Sequence, residues 1–162
     1  MTPRLASKGD HAAIWAILEP VFRAGTTYAV ARDISKEDAL AMWCEAPAAT
    51  YVVEENGVLL GTYYIKTNAQ GGGSHVCNCG YITAIQARGK GVARLMCEHS
   101  QSEARGLGYS AMQFNLVLAS NLYAVKLWHA LDYKTVGVLP KVFDHPKHGL
   151  VDALVMYKAL AD

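Results

Sequence analysis

Residues Arg88–Ala93 read Arg-Gly-Lys-Gly-Val-Ala and join an apolar run, Tyr81–Ile85, to a helix-like run that continues to about Arg105. Two glycines at a strand-to-helix turn let main-chain N–H groups approach an anion without interference from a Cβ atom. The start of the helix adds unpaired donors and a partial positive charge, and Arg88 and Lys90 add full charges beside them. The stretch therefore predicts a turn that holds a pyrophosphate.

The composition is typical of one globular domain over residues 1–162. Apolar residues make up 52% and charged residues 18%, which argues against disorder. The formal net charge of +1 gives no reason to expect nucleic acid or an anionic membrane as partner. No run approaches the roughly 18 uncharged apolar residues of a membrane span, and Met1–Asp10 lacks the apolar core of a signal peptide. We expect a cytoplasmic protein with its cysteines as buried thiols.

Apolar periodicity and turn signals predict the secondary structure. The predicted helices are His11–Ala24, a short one from Ser35 toward Trp43, Val92–Arg105, and one capped by Ser120 or Asn121. The predicted strands are Tyr51–Glu54, Val58–Ile65, His75–Ile85, Tyr109–Val117, Lys134–Leu139 and Leu150–Tyr157. Asp10 is the expected N-cap of the first helix, Gly25 its end, and Asn56-Gly57 a strong hairpin signal. This order predicts an α/β (α+β) fold: a mixed, mostly antiparallel central sheet of six to seven strands flanked by about four helices.

Two familiar phosphate-binding motifs do not fit the glycine turn. A mononucleotide P-loop needs four residues between its glycines followed by Gly-Lys-Ser/Thr, which is absent. A dinucleotide fingerprint needs a third glycine where Arg94 stands. What remains is Arg-x-x-Gly-x-Ala, followed downstream by a second cluster of residues at fixed spacing: Asn121, Ala124, Leu127, Trp128 and Asp132-Tyr133.

These two motifs resemble those of the GCN5-related N-acetyltransferase (GNAT) superfamily. Its acyl-CoA loop reads Gln/Arg-x-x-Gly-x-Gly/Ala, which Arg88, Gly91 and Ala93 match. Its later helix often reads Asn-x-x-Ala-x-x-Leu-Tyr followed by Gly-Phe. There Asn121, Ala124 and Leu127 match, whereas Trp128, Asp132 and Tyr133 replace Tyr, Gly and Phe. The likeness covers nearly the whole chain, and it implies a single GNAT domain.

The resemblance implies acetyl-CoA, or a related acyl-CoA, as the donor cosubstrate. Main-chain amides of the turn would hold the pyrophosphate, and those of the preceding strand would bind the pantetheine arm. An N–H there, with Thr83 as the first choice, would polarise the thioester carbonyl. The cofactor-binding residues expected on this basis are Ile82, Thr83, Arg88, Gly89, Lys90, Gly91, Val92, Ala93, Asn121 and Lys126.

The usual catalytic pair of the family is missing. Within the superfamily the N-terminal half most resembles the phosphinothricin and amino-acid N-acetyltransferase group, which places a Glu where this chain has Asn78. That group also has a His where this chain has Trp128, and neither substitute exchanges a proton near neutral pH. As replacements we predict Tyr123 to protonate the thiolate and Asn78 to hold a proton-relaying water. The simpler interpretation is that Tyr123 packs at a helix edge and Asn78 satisfies a buried main-chain group.

The acceptor is predicted by similarity to be a small primary amine, with the α-amino group of an amino acid or an analogue as one candidate. The residues expected to border its pocket are Thr27, Tyr28, Asn115, Trp128 and Phe143, the last with His145. A peptide N-terminal acetyltransferase and a non-catalytic acyl-CoA-binding module are the alternatives. No metal site is predicted, because Cys77, Cys79 and His75 lack a second ligand pair. Homodimerisation is common among relatives and is kept as an expectation.

Overall fold

The centre of the protein is one seven-stranded sheet. The computed structural model describes residues 1–160. The strands are β1 Thr2–Leu5, β2 Ala49–Glu55, β3 Val58–Thr67, β4 Val76–Thr83, β5 Ala111–Leu118, β6 Lys134–His145 and β7 Gly149–Ala159. They lie in the order β1-β2-β3-β4-β5-β7-β6, and every neighbouring pair is antiparallel except β4 and β5. The predicted mixed, mostly antiparallel sheet is confirmed.

Four helices flank the sheet: α1 His11–Ala24, α2 Lys36–Leu40, α3 Val92–Gly106 and α4 Leu122–Ala130. A π-helical turn continues α2 through Ala41–Glu45. Gly25 ends α1 at a φ of 63°, as predicted. Asp10 occupies the predicted N-cap position of α1 but makes no side-chain capping bond, because its carboxylate turns back to accept from the Ser7 N–H at 2.7 Å and from Arg4 at 2.8 Å.

The edges of the sheet differ from the prediction. The short edge strand β1 was not predicted, since its four residues include Pro3 and show no alternation. The predicted β6 ended at Leu139 before Pro140, but the strand continues to His145 across an irregularity. There Lys141 has a φ of 52° and its N–H donates to Asp152 Oδ1 at 2.9 Å. The side chain of Asp152 thus takes the place of a lost ladder partner.

Aromatic side chains pack on both faces of the sheet. Tyr64 on β3 lies opposite Gly80 on β4, and its ring meets that of the fully buried Trp43 at 4.8 Å. Successive strand residues point to opposite faces, so Tyr81 lies on the other side. Its hydroxyl forms a 2.7 Å hydrogen bond with Ser100 of α3, and its ring packs 5.2 Å from Trp128 of α4. Helices α1 and α2 therefore cover one face, and α3 and α4 the other.

Candidate active site

The parallel strands β4 and β5 pair for only two residues before they diverge. Val76 lies opposite Ala111 and Cys77 opposite Met112, and no further pairs follow along either strand. At the point of divergence, the side-chain amide of Asn78 reaches across and donates to the Gln113 carbonyl at 2.9 Å. Beyond it the two strands leave a gap within the sheet.

The main chain of β4 presents free groups to this gap. Hydrogen bonds at both ends of the β3–β4 ladder, from Ala84 N–H to the Leu60 carbonyl and from Asn68 N–H to the Val76 carbonyl, fix which residues bond to β3. By antiparallel alternation these are the even-numbered residues of β4, so the main-chain groups of Tyr81 and Thr83 face the gap. The N–H of the predicted donor Thr83 thus faces the gap, whereas the amide of Ile82 points to β3.

The glycine turn ends beside the gap. Gly89 and Gly91 have φ values of 76° and 80°, and Gly91 is the N-cap of α3. The first bond of α3 runs from the Leu95 N–H to the Gly91 carbonyl at 3.0 Å, so the N–H groups of its first turn have no intrahelical acceptor. No acidic residue lies in that turn. Free donors at an uncompensated positive helix end fit a pyrophosphate.

A cavity of about 570 Å³ connects the turn with the gap. We call it the loop cavity. Its lining includes predicted residues from three regions: Thr27, Tyr28, Ile82, Thr83, Arg88, Gly89, Gly91, Val92, Ala93, Asn121, Tyr123 and Trp128. Asn121 caps α4 by accepting from the Ala124 N–H at 3.2 Å, which fixes the start of that helix at the cavity.

A second cavity of about 380 Å³ lies between β3, β5 and the residues around α2. We call it the strand cavity. It meets the loop cavity at six shared residues: Thr27, Tyr28, Tyr81, Asn121, Ala124 and Trp128. Its own lining includes Trp43, Tyr64, Lys66, Asn78, Phe114 and Asn115. A molecule in one cavity can therefore contact a molecule in the other through the gap.

Tyrosine hydroxyls dominate the polar groups at this junction. Tyr28 donates to the Tyr81 carbonyl at 3.0 Å, and burial raises its pKa well above the ordinary value. Burial likewise raises the pKa of Tyr64 to about 12. The Tyr64 hydroxyl is directed to Asn78 Oδ1 at 3.5 Å. Both phenols remain protonated at neutral pH.

The ring of Tyr64 reaches this position because Gly80 has no side chain. A Cβ atom on Gly80 would lie 2.7 Å from Tyr64 Cε1 and 2.9 Å from its hydroxyl oxygen. A glycine inside a strand often marks such a close approach. This is the signal by which the sequence could have identified Tyr64, which was missed together with Lys66, two residues along the same face.

The predicted catalytic residues lie in different environments. Tyr123 is 62% exposed on the first turn of α4 and lines the loop cavity. Asn78 is buried, and both ends of its amide have protein partners, Gln113 and Tyr64. These contacts support a structural role for Asn78 at the divergence of the strands, rather than the predicted water relay.

Other predicted residues are not brought to the cavities. Lys90 and Lys126 are exposed and line neither one. Phe143 packs with Leu118 and Ala153 in a separate cluster, so its predicted place at the acceptor pocket is not supported. Asn115 does line the strand cavity, held by hydrogen bonds of 2.7 Å to Asn68 and 2.9 Å from Gln113.

Neither cavity is lined by a carboxylate or an imidazole, and all of the lining residues belong to the part of the chain that the structure describes. Cys79 lines the strand cavity, but burial raises the pKa of its thiol well above the ordinary value, which disfavours the nucleophilic thiolate. Within residues 1–160, no group of three or more His, Cys, Asp or Glu side chains is arranged to hold a metal ion. None of the helices described is both long and apolar enough to cross a membrane.

Solved structures with this architecture include those of acetyltransferases. A GCN5-related N-acetyltransferase from Kribbella flavida is 35% identical and superposes with a TM-score of 0.92, over 98% of this chain and 96% of that one. The yncA protein of Salmonella typhimurium, solved with its cofactor acetyl-CoA, is 26% identical with a TM-score of 0.88, over 100% and 95% of the two chains. Phosphinothricin acetyltransferases are more distant, at 19% identity, where the likeness shows the fold alone.

The N-acetyltransferase aca1 of Schizosaccharomyces pombe is 33% identical over 108 residues, which are 66% of this chain and 52% of that protein. The chain thus spans about half the length of this curated relative. The model of the acetyltransferase (GNAT) family matches residues 12–133, from α1 to the residues after α4. Acetyl-CoA is the cosubstrate of this family, and the free donors at the glycine turn fit its pyrophosphate. The chain belongs to the acetyltransferase (GNAT) family.

Proposed function

We propose that the protein transfers the acetyl group of acetyl-CoA to a primary amine of a small molecule. The observation that carries this proposal is the gap between β4 and β5, where the loop cavity and the strand cavity meet. The loop cavity has the donors for a pyrophosphate and a path along β4 for the pantetheine arm. The strand cavity has room for a second, small reactant at the far side of the same gap.

The residues suit direct attack by the amine on the thioester. The Thr83 N–H faces the gap and would stabilise the negative charge that develops on the carbonyl oxygen. A nitrogen–carbon bond forms and the carbon–sulfur bond breaks, while the amine passes one proton to solvent water and the sulfur gains one from an acid that solvent then reprotonates. With no carboxylate or imidazole in either lining, the amine enters deprotonated from solution and the acceleration comes from proximity and orientation.

The proton for the departing sulfur would come from Tyr123. It lines the loop cavity on the first turn of α4, and the capping residue Asn121 fixes that turn. Trp128 replaces the acid found at its position in relatives and packs on Tyr81 and Phe114, at 5.2 and 5.1 Å between ring centroids. Trp128 would form the wall between the acetyl group and α4 and would transfer no proton.

The test is release of free thiol from acetyl-CoA by the purified protein, measured against a panel of small amines and short peptides. Thiol release that depends on a small amine supports the proposal, and identification of the acetylated amine by mass spectrometry completes it. Transfer to peptides alone would favour a peptide N-terminal acetyltransferase. Binding of acetyl-CoA by calorimetry without transfer to any amine would instead favour a non-catalytic binding module.

We also propose a homodimer in the cytoplasm. Along the edge strand β6, Val136 is 61% exposed and Val138 is 56% exposed, and apolar side chains on an unpaired edge suit a second copy. The four cysteines are free thiols, which supports a reducing compartment. Sedimentation of the wild type and of Val136→Lys would test the dimer, which the added charge should dissociate.

A further inference from the structure

The strand cavity has an uneven charge. Lys66 is the only charged side chain among its lining residues, all of which the structure describes. The other polar groups there are neutral hydroxyls and amides from residues such as Thr27, Tyr64, Asn78 and Asn115. Among its described lining residues, this cavity has no negatively charged side chain that could bind a second positive charge on the acceptor. The ammonium group of Lys66 could instead bind a negatively charged group of the acceptor.

The ammonium group of Lys66 is available for such a partner. Among residues 1–160, no carboxylate lies within ion-pair distance of it. Its Nζ atom instead lies 5.4 Å from the centroid of the Tyr64 ring. This contact holds the lysine stem against the floor of the cavity, and an aromatic face leaves the ammonium donors free for a ligand.

The position of Lys66 also suits a small acceptor. Lys66 lies opposite Asn78, and Tyr64 lies opposite Gly80, one step further along the same face toward the main-chain groups of Tyr81 and Thr83 that face the gap. Strand residues advance about 3.3 Å each, so Asn78 and Gly80 are separated by roughly 7 Å along β4. An amine placed at the gap beside Tyr64 thus has Lys66 within the reach of a short molecule.

We propose that the strand cavity selects an amine that also carries a carboxylate, as amino acids do, and that Lys66 is the residue that binds the carboxylate. This inference rests on the proposed function, because it names the substrate class of the same site. The Tyr64 hydroxyl donates toward Asn78 and keeps its lone pairs for an N–H of the acceptor. Lys66 therefore sets specificity, and Tyr64 orients the amine.

The test compares leucine, leucinamide and 3-methylbutylamine, which share a side chain and differ in the carboxylate. For Lys66→Met, which keeps the stem length, we expect kcat/KM for leucine to fall about five- to tenfold, mainly through KM, because an exposed charge pair is screened by water. For leucinamide and 3-methylbutylamine, which lack the carboxylate, kcat/KM should change less than about twofold. The ratio of variant to wild type for each amine removes the differences in amine pKa.

Two controls separate charge from structure. Lys8→Met removes the same charge from an exposed residue outside both cavities and should leave all three ratios unchanged. Lys66→Glu should lower kcat/KM for leucine further and should raise kcat/KM for a diamine. The preference of the wild type for leucine should decrease as salt is added.

If Lys66→Met changes kcat/KM equally for leucine and for the two amines without a carboxylate, the carboxylate assignment is overturned and the proposed transfer stays intact. No thiol release with any amine would instead overturn the proposed function, and this inference with it.

Discussion

The loop cavity and the strand cavity meet at one gap, but one is formed mainly by main-chain groups and the other mainly by side chains. The loop cavity depends on main-chain groups, namely the amides of the first turn of α3 after Gly91 and those of β4 that face the gap. The strand cavity depends on side chains from separate strands, above all Tyr64, Lys66 and Asn78. A site made of main-chain groups suits acetyl-CoA, the cosubstrate that relatives have in common. A site made of side chains can differ from one relative to the next and so suits the acceptor. Binding of acetyl-CoA should therefore respond mainly to changes in the main chain of the turn, and binding of the amine to changes in side-chain packing, which can be tested.

The largest expected effect is that of pH on kcat/KM. It distinguishes titration of the substrate amine from titration of a group in the protein. With an alkylamine whose pKa is close to that of lysine, about 10.4, kcat/KM should rise about tenfold per pH unit from about pH 6 to about pH 9. The reason is that neither cavity lining contains a carboxylate or imidazole, and Tyr64, with its pKa raised to about 12, stays protonated throughout. A plateau well below the amine pKa would reveal a protein base that acts from outside the two linings.

The next effect tests the one acid assigned to the loop cavity. Tyr123→Phe should lower kcat by about a hundredfold if its hydroxyl protonates the departing sulfur. Tyr109→Phe is the matched control, because its hydroxyl bonds to Thr67 at 2.7 Å and lines neither cavity. Both variants are measured for kcat across pH with a confirmed amine. If kcat of Tyr123→Phe equals the wild-type value at every pH, the tyrosine has no part in proton transfer.

A backbone change should act on the loop cavity alone. Gly91→Ala should raise the KM for acetyl-CoA about tenfold, because the new Cβ would project into open space beside the free donors and a φ of 80° strains alanine. Gly108→Ala carries the same strain, at a φ of 91° with open space around it, but lies at the other end of α3. It should lower thermal stability alone. Equal changes in acetyl-CoA KM for both variants would contradict the pyrophosphate site.

The smallest effect should appear in the strand cavity. Gly80→Ala would drive a Cβ into the Tyr64 ring at 2.7 Å, and Trp43 limits the space into which that ring can move. We expect a loss of about 2 kcal/mol in the free energy of unfolding, a Tm lower by about 4–8 °C, and a few-fold higher KM for the amine.

Gly137→Ala, whose Cβ would lie 3.9 Å from the nearest atom, is the control for Gly80→Ala. Shortening the partner, as in Tyr64→Leu, should relieve most of the cost of Gly80→Ala. If the two changes are additive, the contact between Tyr64 and Gly80 does not position that ring.

The same contrast explains how much of the protein the sequence revealed. The order of helices and strands and the glycine turn were predictable, because periodicity and glycine spacing are local signals. The floor of the strand cavity was not, since Tyr64 and Gly80 come from two strands and meet only through their register. Lys66 looked like any lysine in a strand. Phe143 lines neither cavity, because β6 runs on past Leu139 and Pro140 and packs Phe143 behind Leu118, which itself lines the strand cavity.

The presence of two cavities that meet at one gap has a kinetic consequence. Each cavity can be filled while the other is occupied, so the two reactants should assemble in a ternary complex before any bond changes. Initial rates measured at several fixed levels of one reactant should then give intersecting double-reciprocal lines. A relay through an acetylated side chain would give parallel lines, and Cys79, the cysteine that lines the strand cavity, is held protonated by its burial.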